Sequence, residues 1–219
     1  MQNISKEDYL SIIFKNLDKE GKIKANLIAK KLSVSNAAVT DMLKKLSGEG
    51  YIYYQPYKGI ALTSEGENYA RNMVRRHRIW EVFLNQIVGM PWDKVHEEAN
   101  RLEHSSSDDL INRLEVMLDF PEYDPHGDPI PSKTGKMPKI KRQKPLSELA
   151  EGESGKVVRV NDSDENFLGY ISELGIRLKE NIIIKKKIEF DKSLEILIKG
   201  KSWNVSNKLA QNVFVEVKK

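Results

Sequence analysis

The side chains of this sequence that are best suited to chemistry are its histidines, which all fall within about fifty residues. Each has an aspartate or glutamate no more than four positions away, and the four are His77, His96, His104 and His126. Imidazole nitrogens and carboxylate oxygens form the donor set that a protein without thiols offers to divalent transition metals. The clustering therefore predicts that the chain binds a metal ion.

Two predicted helices present these donors on one side. Offsets of four, seven and eight residues give one helix a polar arc of about 100°, and this arc carries His96, Asn100, Glu103 and His104. An apolar stripe on the same helix can pack on a core. His77 and Glu81 repeat the arrangement, one turn apart on an earlier helix. A solvated polar face with incidental histidines is the alternative, and two such helices together favour the metal site.

The last histidine lies in an unusual turn sequence, Asp124-Pro125-His126-Gly127-Asp128, within a stretch over 119–145 that is rich in proline. A hinge needs no histidine between two aspartates. A turn with this composition can fold onto a metal ion. A solvent-exposed loop histidine is the alternative interpretation.

The composition limits the classes of function. The chain has 219 residues, which suits two modest domains, and no cysteine, which excludes disulfides, zinc–thiolate sites and thiol catalysis. We find neither a secretory leader nor an apolar run of about 18 residues, so the sequence predicts a cytoplasmic protein that enters no membrane. Residues 1–60 carry ten basic and six acidic side chains, and residues 61–132 carry seven and fourteen. A basic front and an acidic middle suggest separate roles in binding nucleic acid and cations.

Residues 1–63 are predicted to form a winged helix-turn-helix DNA-binding domain. A helix that Ser5 caps is expected over 6–17, with Asp8 completing a capping box, and a second helix over 25–32. A third helix, capped by Ser35 or Asn36, runs through Ser47, and strands over 51–54 and 60–62 form the wing. The outward face of the third helix suits a major groove, with expected contacts from Ser35, Asn36, Ala37, Ala38, Thr40, Asp41 and Lys44. Lys58 in the wing turn is expected to meet a phosphate. A helical hairpin with no role in DNA binding is the alternative.

Residues 64–132 are predicted to form a helical metal-binding and dimerisation domain. Thr63 is expected to cap a helix over 64–88 that buries Ile87. Asp93 is expected to cap a helix that runs to His104, and Ser107 a helix over 108–118 that buries Leu110. The apolar surface of these helices is of the kind that supplies a dimer interface. A basic linker follows over 133–145, with six basic side chains and no acidic one. Short strands over 146–219, with a helix near 165–174, predict a small β-barrel without an evident catalytic group. The fold class is therefore mainly α with a small β domain.

Over essentially its whole length the chain resembles the diphtheria toxin repressor and manganese transport regulator family of metal-dependent repressors. The resemblance is carried by the winged helix from Asp8-Tyr9-Leu10 through Gly66, by the run from Arg76-His77-Arg78 to Glu103-His104, and by Pro125-His126-Gly127-Asp128-Pro129-Ile130-Pro131. The tail is similar to the SH3-like domain of the longer members. The resemblance implies a homodimeric repressor, not an enzyme, that binds a double-stranded DNA operator at metal-uptake genes without a small organic ligand.

The resemblance also implies a primary metal site between the first helix and the predicted helix that ends at His104. Its ligands would be Asp8, Asn100, Glu103 and His104, with His77 nearby. Manganese-sensing members have Asp at the position of Asp8 and iron-sensing members have Met, so Mn²⁺ is the expected metal. Fe²⁺ is the alternative, with Zn²⁺ or another divalent ion as a substitute. This chain has Asn100 where relatives have Cys or Glu, and Ser11 where some have Glu, which removes negative charge and predicts weaker binding.

Two residue sets compete for a second, ancillary site in such proteins. One set has Glu81 with His77 and His96, together with Asp164. The other, typical of streptococcal members, places Asp124 and His126 with Glu81 and Asp164, and Asp124 stands where those members have Cys. The sequence leaves this choice open.

Two other classes of function compete with a metal-dependent repressor. His96-Glu97-x-x-Asn100 is one substitution away from a metalloprotease helix, but Asn100 replaces the obligatory second histidine, and a hydrolase needs an open coordination position in a cleft. The third class is a winged-helix regulator that senses an organic ligand, with its carboxylates merely solvated. Dependence of DNA binding on a metal distinguishes these classes.

Overall fold

The computed structural model describes residues 5–55, 58–139, 142–161 and 164–217. Some residues covered by the sequence predictions lie outside these ranges. They are Pro56 and Tyr57 in the wing turn, Ile140 and Lys141 in the linker, and Lys218 at the end of the last predicted strand. The chain divides into two compact units, Met1–Arg76 with Pro131–Lys136, and His77–Ile130 with Met137–Lys219. Among the described residues, no helix combines the length and apolar character needed to cross a membrane.

The first unit begins with a helical trio and a short hairpin. Its elements are α1 (Lys6–Lys15), α2 (Ala25–Leu32), α3 (Asn36–Gly48), β1 (Ile52–Tyr54) and β2 (Ile60–Leu62). β1 and β2 pair antiparallel, with Tyr53 opposite Ala61. One apolar face of each helix joins the inward side chains of the strands in a common core that includes Leu10, Ile13, Ile28, Val39, Leu43, Leu46, Ile52 and Ile60. This is the winged helix-turn-helix expected from the sequence.

Side-chain caps fix where these helices start. Ser5 and Asp8 form a capping box, in which Ser5 Oγ accepts from Asp8 N and Asp8 Oδ2 accepts from Ser5 N at 2.7 Å. Ser35 Oγ accepts from Ala38 N at 3.2 Å, so α3 has its predicted cap. α1 ends at Lys15, two residues before its predicted end, because Asn16 leaves the helical conformation.

α4 (Ser64–Gln86) is a helix of 23 residues, and the division between the two units falls within it, between Arg76 and His77. Thr63 Oγ1 accepts from Gly66 N at 3.1 Å, which is the predicted N-cap. The predicted end at residue 88 is too late. Ile87, predicted to be buried, is 56% exposed, because the helix closes where the Ile87 and Val88 amides both donate to Phe83 O.

The second unit continues with α5 (Val95–Glu103) and α6 (Asp108–Met117). The N-cap of α6 is Ser107, as predicted, but that of α5 is Lys94, so the assignment of the cap to Asp93 is wrong; a turn in which Lys94 N donates to Pro91 O precedes the helix. Leu110, predicted to be buried, is 40% exposed, because α6 turns a different face to the core formed with α4.

The rest of the second unit is a six-stranded antiparallel sheet with two short helices. Its elements are β3 (Lys144–Pro145), β4 (Ser154–Val160), α7 (Glu165–Glu173), β5 (Asn181–Lys187), β6 (Leu194–Ile198), β7 (Lys201–Val205), α8 (Asn207–Gln211) and β8 (Val213–Glu216). The strand order is β3-β8-β4-β5-β6-β7. Its aliphatic core also includes Trp92, which precedes α5 in the chain. The small β domain of the predicted fold class is confirmed.

The turn around His126 lies against β4 of this sheet. Val160 N donates to His126 O at 2.9 Å. Gly127 has a φ of +91°, and a Cβ at this position would lie 2.1 Å from Val158 O, so only glycine allows this approach. The turn, the sheet, the second part of α4 and α5 therefore belong to one compact unit. The turn, α4 and α5 carry the candidate metal ligands, and the sheet supports the turn.

Candidate metal centre

The first group of possible metal ligands lies between α4 and α5 and consists of His77, Glu81 and His96, called here the helix triad. His77 and Glu81 are four residues apart on α4 and are buried, at 3% and 0% exposure. Three atoms converge: His77 Nε2 lies 3.0 Å from Glu81 Oε1 and 3.0 Å from His96 Nδ1, and His96 Nδ1 lies 3.1 Å from Glu81 Oε1.

This triangle has the dimensions of one face of a metal coordination polyhedron. An octahedral ion with metal–ligand distances of about 2.1 Å holds neighbouring ligands about 3.0 Å apart, and this geometry is typical of Mn²⁺ and Fe²⁺. Two imidazole nitrogens at 3.0 Å repel each other if both present lone pairs, so either a proton or a cation must lie between them. The donor set therefore fits a divalent metal ion.

The orientation of the His77 ring is fixed by Glu103 on α5. Its Nδ1 lies 2.5 Å from Glu103 Oε2, so the ring donates Nδ1–H to this carboxylate. Without a metal ion, Nε2 also carries a hydrogen and donates it to Glu81, and a bound cation would replace that hydrogen. A carboxylate behind a histidine in this way fixes the orientation of the ring and makes it a better metal ligand. Glu103 thus positions His77.

The ionisation of Glu81 is also suited to a cation. Burial alone would raise the pKa of Glu81, but the charge of His77 and the hydrogen bonds from His77 and His96 outweigh it, so its pKa lies well below the usual value. The carboxylate is therefore ionised at neutral pH. Within the described ranges no hydrogen-bond donor reaches its second oxygen, Oε2, although that atom is buried.

A second group shares Glu81 and adds the turn, and it consists of Glu81, Asp124 and His126, called here the turn triad. One ligand atom from each lies within 4.8 Å of the others, and all three residues are buried. His126 Nε2 lies 2.8 Å from the carbonyl oxygen of Trp92. Because a carbonyl only accepts, Nε2 carries the hydrogen, and a neutral His126 keeps its lone pair on Nδ1.

Asp124 is held by its own turn. Its Oδ1 accepts from the backbone amides of His126 at 2.8 Å and Asp128 at 3.0 Å, and its Oδ2 lies 3.4 Å from Arg78 Nε. No donor among the described residues makes a hydrogen bond to Oδ2. Burial, reinforced by the nearby charges of Glu81 and Asp128, raises the pKa of Asp124 to about 7. A cation in the turn triad would favour the ionised form.

The other predicted ligands are placed differently. Asp164 is the N-cap of α7, where its Oδ1 accepts from Asn166 N at 2.9 Å and Phe167 N at 3.3 Å, and neither triad of the described residues includes it. His104 follows α5 and is exposed, with Nε2 3.5 Å from Glu103 Oε1. Asn100 is half-buried on α5. Asp8 belongs to the first unit, where it takes part in the capping box of α1.

The predicted DNA-contacting residues lie on and around α3. Ser35 caps the helix, and exposed side chains follow it at Asn36, Ala37, Ala38, Asp41 and Lys44. Thr40 is half-buried, and its hydroxyl donates to Asn36 O at 2.9 Å. Lys58 is exposed next to the wing.

Two residues around the turn triad were missed by the sequence analysis. Arg78 is 8% exposed and donates from Nη1 to Pro129 O, and its guanidinium lies near Asp124. Trp92 stacks on His126 with ring centroids 5.7 Å apart. The sequence signal for Arg78 was its position directly after His77. The partner of Trp92 depends on the path of residues 119–130, which periodicity does not predict.

Comparison with protein families divides the chain into three matched segments. Residues 3–60 match the iron dependent repressor N-terminal DNA binding domain, residues 63–132 match the iron dependent repressor metal binding and dimerisation domain, and residues 144–217 match the FeoA domain.

Individual relatives agree with these matches. The chain is 37% identical over 114 residues to the uncharacterized HTH-type transcriptional regulator MJ0568 of Methanocaldococcus jannaschii, covering 52% of this chain and 91% of the relative. It is 32% identical over 124 residues to the HTH-type transcriptional regulator MntR of Bacillus subtilis, covering 57% and 87%.

Solved structures extend the similarity to nearly the full length. A manganese-dependent transcriptional repressor in complex with manganese has a TM-score of 0.89 at 32% identity, covering 98% of this chain and all of the other. The IdeR of T. acidophilum has a TM-score of 0.80 at 25% identity, with both chains covered completely.

Proposed function

Because this chain belongs to the diphtheria toxin repressor and manganese transport regulator family of metal-dependent transcriptional repressors, we propose that it represses metal-uptake genes in response to Mn²⁺. The family consists of repressors and not of enzymes, and it contains a DNA-binding and a dimerisation domain. We further propose that the protein acts in the cytoplasm as a homodimer on a double-stranded operator. The exposed apolar side chains of α6 and the residues after it support self-association: Leu110, Val116, Met117 and Phe120.

The observation that carries the choice of metal is the donor set of the helix triad. It offers two imidazoles and one carboxylate on a triangle with edges of 3.0–3.1 Å, and the chain has no thiol to favour a softer ion. The similarity to a repressor that binds manganese supports Mn²⁺. Fe²⁺ is the second candidate, because two histidines and one carboxylate on one face are also a typical Fe²⁺ set. Zn²⁺ is expected to substitute in vitro.

We propose that regulation depends on a primary site formed by Asp8, Asn100, Glu103 and His104. A cation bound there would supply positive charge that offsets the negative charge of its carboxylate ligands. Asp8 would contribute from α1, next to the DNA-binding helices, and Glu103 and His104 from the end of α5. We propose that the metal-free dimer samples many distances between its two α3 helices. If the metal ion binds only at the distance that suits DNA, it shifts the population toward the DNA-competent form.

The substitution Asp8→Ala tests this proposal. The DNA probe is a labelled duplex selected from a random-sequence pool by the Mn²⁺-loaded wild type, and binding is followed by fluorescence anisotropy against free Mn²⁺. We expect the midpoint of the manganese response to shift at least about tenfold upward, since one charged ligand is lost. Asp109→Ala, which removes an exposed carboxylate on α6, serves as the matched control and should respond like the wild type.

Two outcomes contradict the proposal. If Asp8→Ala binds the duplex with an unchanged manganese response, Asp8 does not couple the metal to DNA binding. If the wild type binds the same duplex equally well in the presence of a chelator, the regulator senses something other than a metal ion. Hydrolysis of a generic peptide by the Mn²⁺-loaded wild type would point instead to the metallohydrolase.

A further inference from the structure

The helix triad and the turn triad are both present in this chain, and they have one residue in common. Glu81 lies in both, and it is completely buried. Its two oxygens have different surroundings. Oε1 lies 3.0 Å from His77 Nε2 and 3.1 Å from His96 Nδ1, whereas Oε2 is buried without a hydrogen-bond donor among the described residues.

We propose that Glu81 bridges two divalent cations, one in the helix triad and one in the turn triad, so that the two triads form a single dinuclear centre. This inference rests on the proposed metal-dependent function and extends it. The two sets therefore act together and are not alternatives. Oε1 would bind the first cation, and Oε2 would bind the second.

Each half of the proposed centre has its own imidazole, and each imidazole is oriented by a separate contact. On the first side, His77 Nδ1–H donates to Glu103 Oε2, so Nε2 is the nitrogen that would bind the cation. On the second side, His126 Nε2–H donates to the Trp92 carbonyl oxygen, so Nδ1 is the nitrogen that would bind the cation. Second contacts of this kind are typical of histidines that bind metals. Two independently oriented imidazole sites are more than a single ion requires.

The turn side also has an oxygen to offer besides that of Glu81. Asp124 is 4% exposed, its Oδ1 is used by two backbone amides, and no hydrogen-bond donor of the described chain reaches Oδ2. Leaving a buried carboxylate oxygen without a donor costs free energy. A cation coordinated by Oδ2 would offset this cost. The set of two carboxylate oxygens and one imidazole suits a hard ion such as Mn²⁺.

The two positions are expected to fill in sequence. Two dications a few ångströms apart repel each other in a buried environment, and Arg78, which lies 3.4 Å from Asp124 Oδ2, adds positive charge on the turn side. The helix triad opens to solvent through His96, whose side chain is 33% exposed, so water can screen the charge of a cation there. We therefore expect the helix triad to bind first and the turn triad to bind more weakly.

The decisive experiment counts Mn²⁺ bound to full-length protein by equilibrium dialysis with elemental analysis, at one free Mn²⁺ concentration high enough to saturate the wild type. The variants are His96→Ala for the first side, Asp124→Asn for the second, and the double variant. Glu97→Gln, which changes an exposed residue next to His96, is the matched control. Each single variant should bind about one Mn²⁺ fewer per chain than the wild type, and the double variant about two fewer.

Electron paramagnetic resonance of the Mn²⁺-loaded wild type gives a second measurement, and this one does not require a variant to fold. Two Mn²⁺ ions bridged by a carboxylate are magnetically coupled, so the titrated wild type should develop a coupled signal after its first equivalents are bound. His96→Ala and Asp124→Asn should show only isolated ions. Circular dichroism of each metal-free variant establishes that it is folded before the ions are counted.

The proposal is overturned if the single and double variants all lose the same one equivalent, or if the saturated wild type shows isolated ions only. These results leave the proposed repressor function intact as long as DNA binding still requires Mn²⁺. Conversely, a coupled pair in a protein whose DNA binding ignores Mn²⁺ would support the dinuclear centre and refute the regulatory function.

Discussion

The ring of His126 stacks on the indole of Trp92, with centroids 5.7 Å apart and planes inclined by 25°, and its Nε2 lies 2.8 Å from the carbonyl oxygen of the same residue. Trp92 is itself anchored in the core of the sheet, where its Nε1–H donates to Ser172 Oγ at 2.6 Å. One histidine therefore connects the turn triad to the β domain through a face of its ring and one of its nitrogens.

Replacing His126 with alanine should destabilise the metal-free protein by about 2–4 kcal/mol, because a fully buried ring and its hydrogen bond are both lost. Urea unfolding in the presence of a chelator measures this change. Phe190→Ala is the matched control, since it removes a ring that is 98% exposed in the same unit, and its effect should stay within about 0.5 kcal/mol. Equal effects of the two substitutions would contradict the role given to His126.

The stability of the metal-free protein should depend on pH through Asp124. Its pKa is raised from 3.8 to about 7 in the folded protein, so the folded state holds a proton that the unfolded chain has already released. The resulting stabilisation is fully present below about pH 4 and is lost as the pH rises through about 7. The free energy of unfolding of the wild type should therefore fall between pH 5.5 and 8.5.

Asp124→Asn removes the titrating group, so urea midpoints of this variant should change less over the same pH range, and Asp109→Asn should behave like the wild type. Because a cation competes with the proton on Asp124, the affinity of the turn triad for Mn²⁺ should also decrease as the pH falls below about 7. Parallel pH profiles for the wild type and Asp124→Asn would exclude Asp124 as the cause.

Gly127 should be intolerant of any side chain. Its φ of +91° is strained for other residues, and an added Cβ would lie 2.1 Å from Val158 O. Gly127→Ala should therefore cost roughly 3 kcal/mol or more. Gly152→Ala provides the control, because Gly152 has a similar φ of +80° with nothing within 4 Å of the added atom, and it should cost only about 1–2 kcal/mol. Similar urea midpoints for both variants would show that the contact with β4 is not tight.

Much of the architecture could be predicted because local rules dominate it. The spacing of apolar residues gave α2 and α3 to within about one residue, and the caps at Ser5, Ser35 and Thr63 follow from the chemistry of their side chains. Asp93 was wrong as a cap because a turn from Pro91 shifts the start of α5 by one residue. Nothing in the local sequence distinguishes these two starts.

The candidate site could be predicted only in part. Helical spacing predicts that His77 and Glu81 share a face of α4, the family resemblance adds His96, and the structure brings the three together. The relationship between Glu81 and Asp124 depends on the path of an irregular segment, which periodicity does not encode, so the sequence presented as alternatives two sets that share a carboxylate. Asp164, which the family resemblance adds to both sets, is the N-cap of α7, and neither triad of the described residues includes it. The primary set containing Asp8 stays a prediction.

Lys44 on α3 should contribute to DNA affinity by contact with a phosphate. Lys44→Ala should weaken binding to any duplex and reduce the slope of log affinity against log salt by about 1, because one fewer counterion is released. Fluorescence anisotropy at several salt concentrations measures both quantities. Lys208→Ala, which removes another exposed lysine, from α8, should leave the slope unchanged. An unchanged slope for Lys44→Ala would place Lys44 away from the backbone of the DNA.

Asn100 should limit the affinity of the proposed primary site for Mn²⁺. It lies on α5, one turn before Glu103 and His104, and it offers a neutral amide oxygen where a carboxylate would add charge. Asn100→Glu should therefore lower the free Mn²⁺ needed for half-maximal DNA binding by roughly tenfold. Asn100→Gln is the control: its side chain is as long as that of Glu but uncharged, so it separates the effect of the charge from that of side-chain length. The double variant with Asp8→Ala gives the sharpest test. If Asn100 and Asp8 bind the same ion, the increase in Mn²⁺ affinity from Asn100→Glu should be smaller in the double variant. Fully additive effects would mean that the two residues bind different ions.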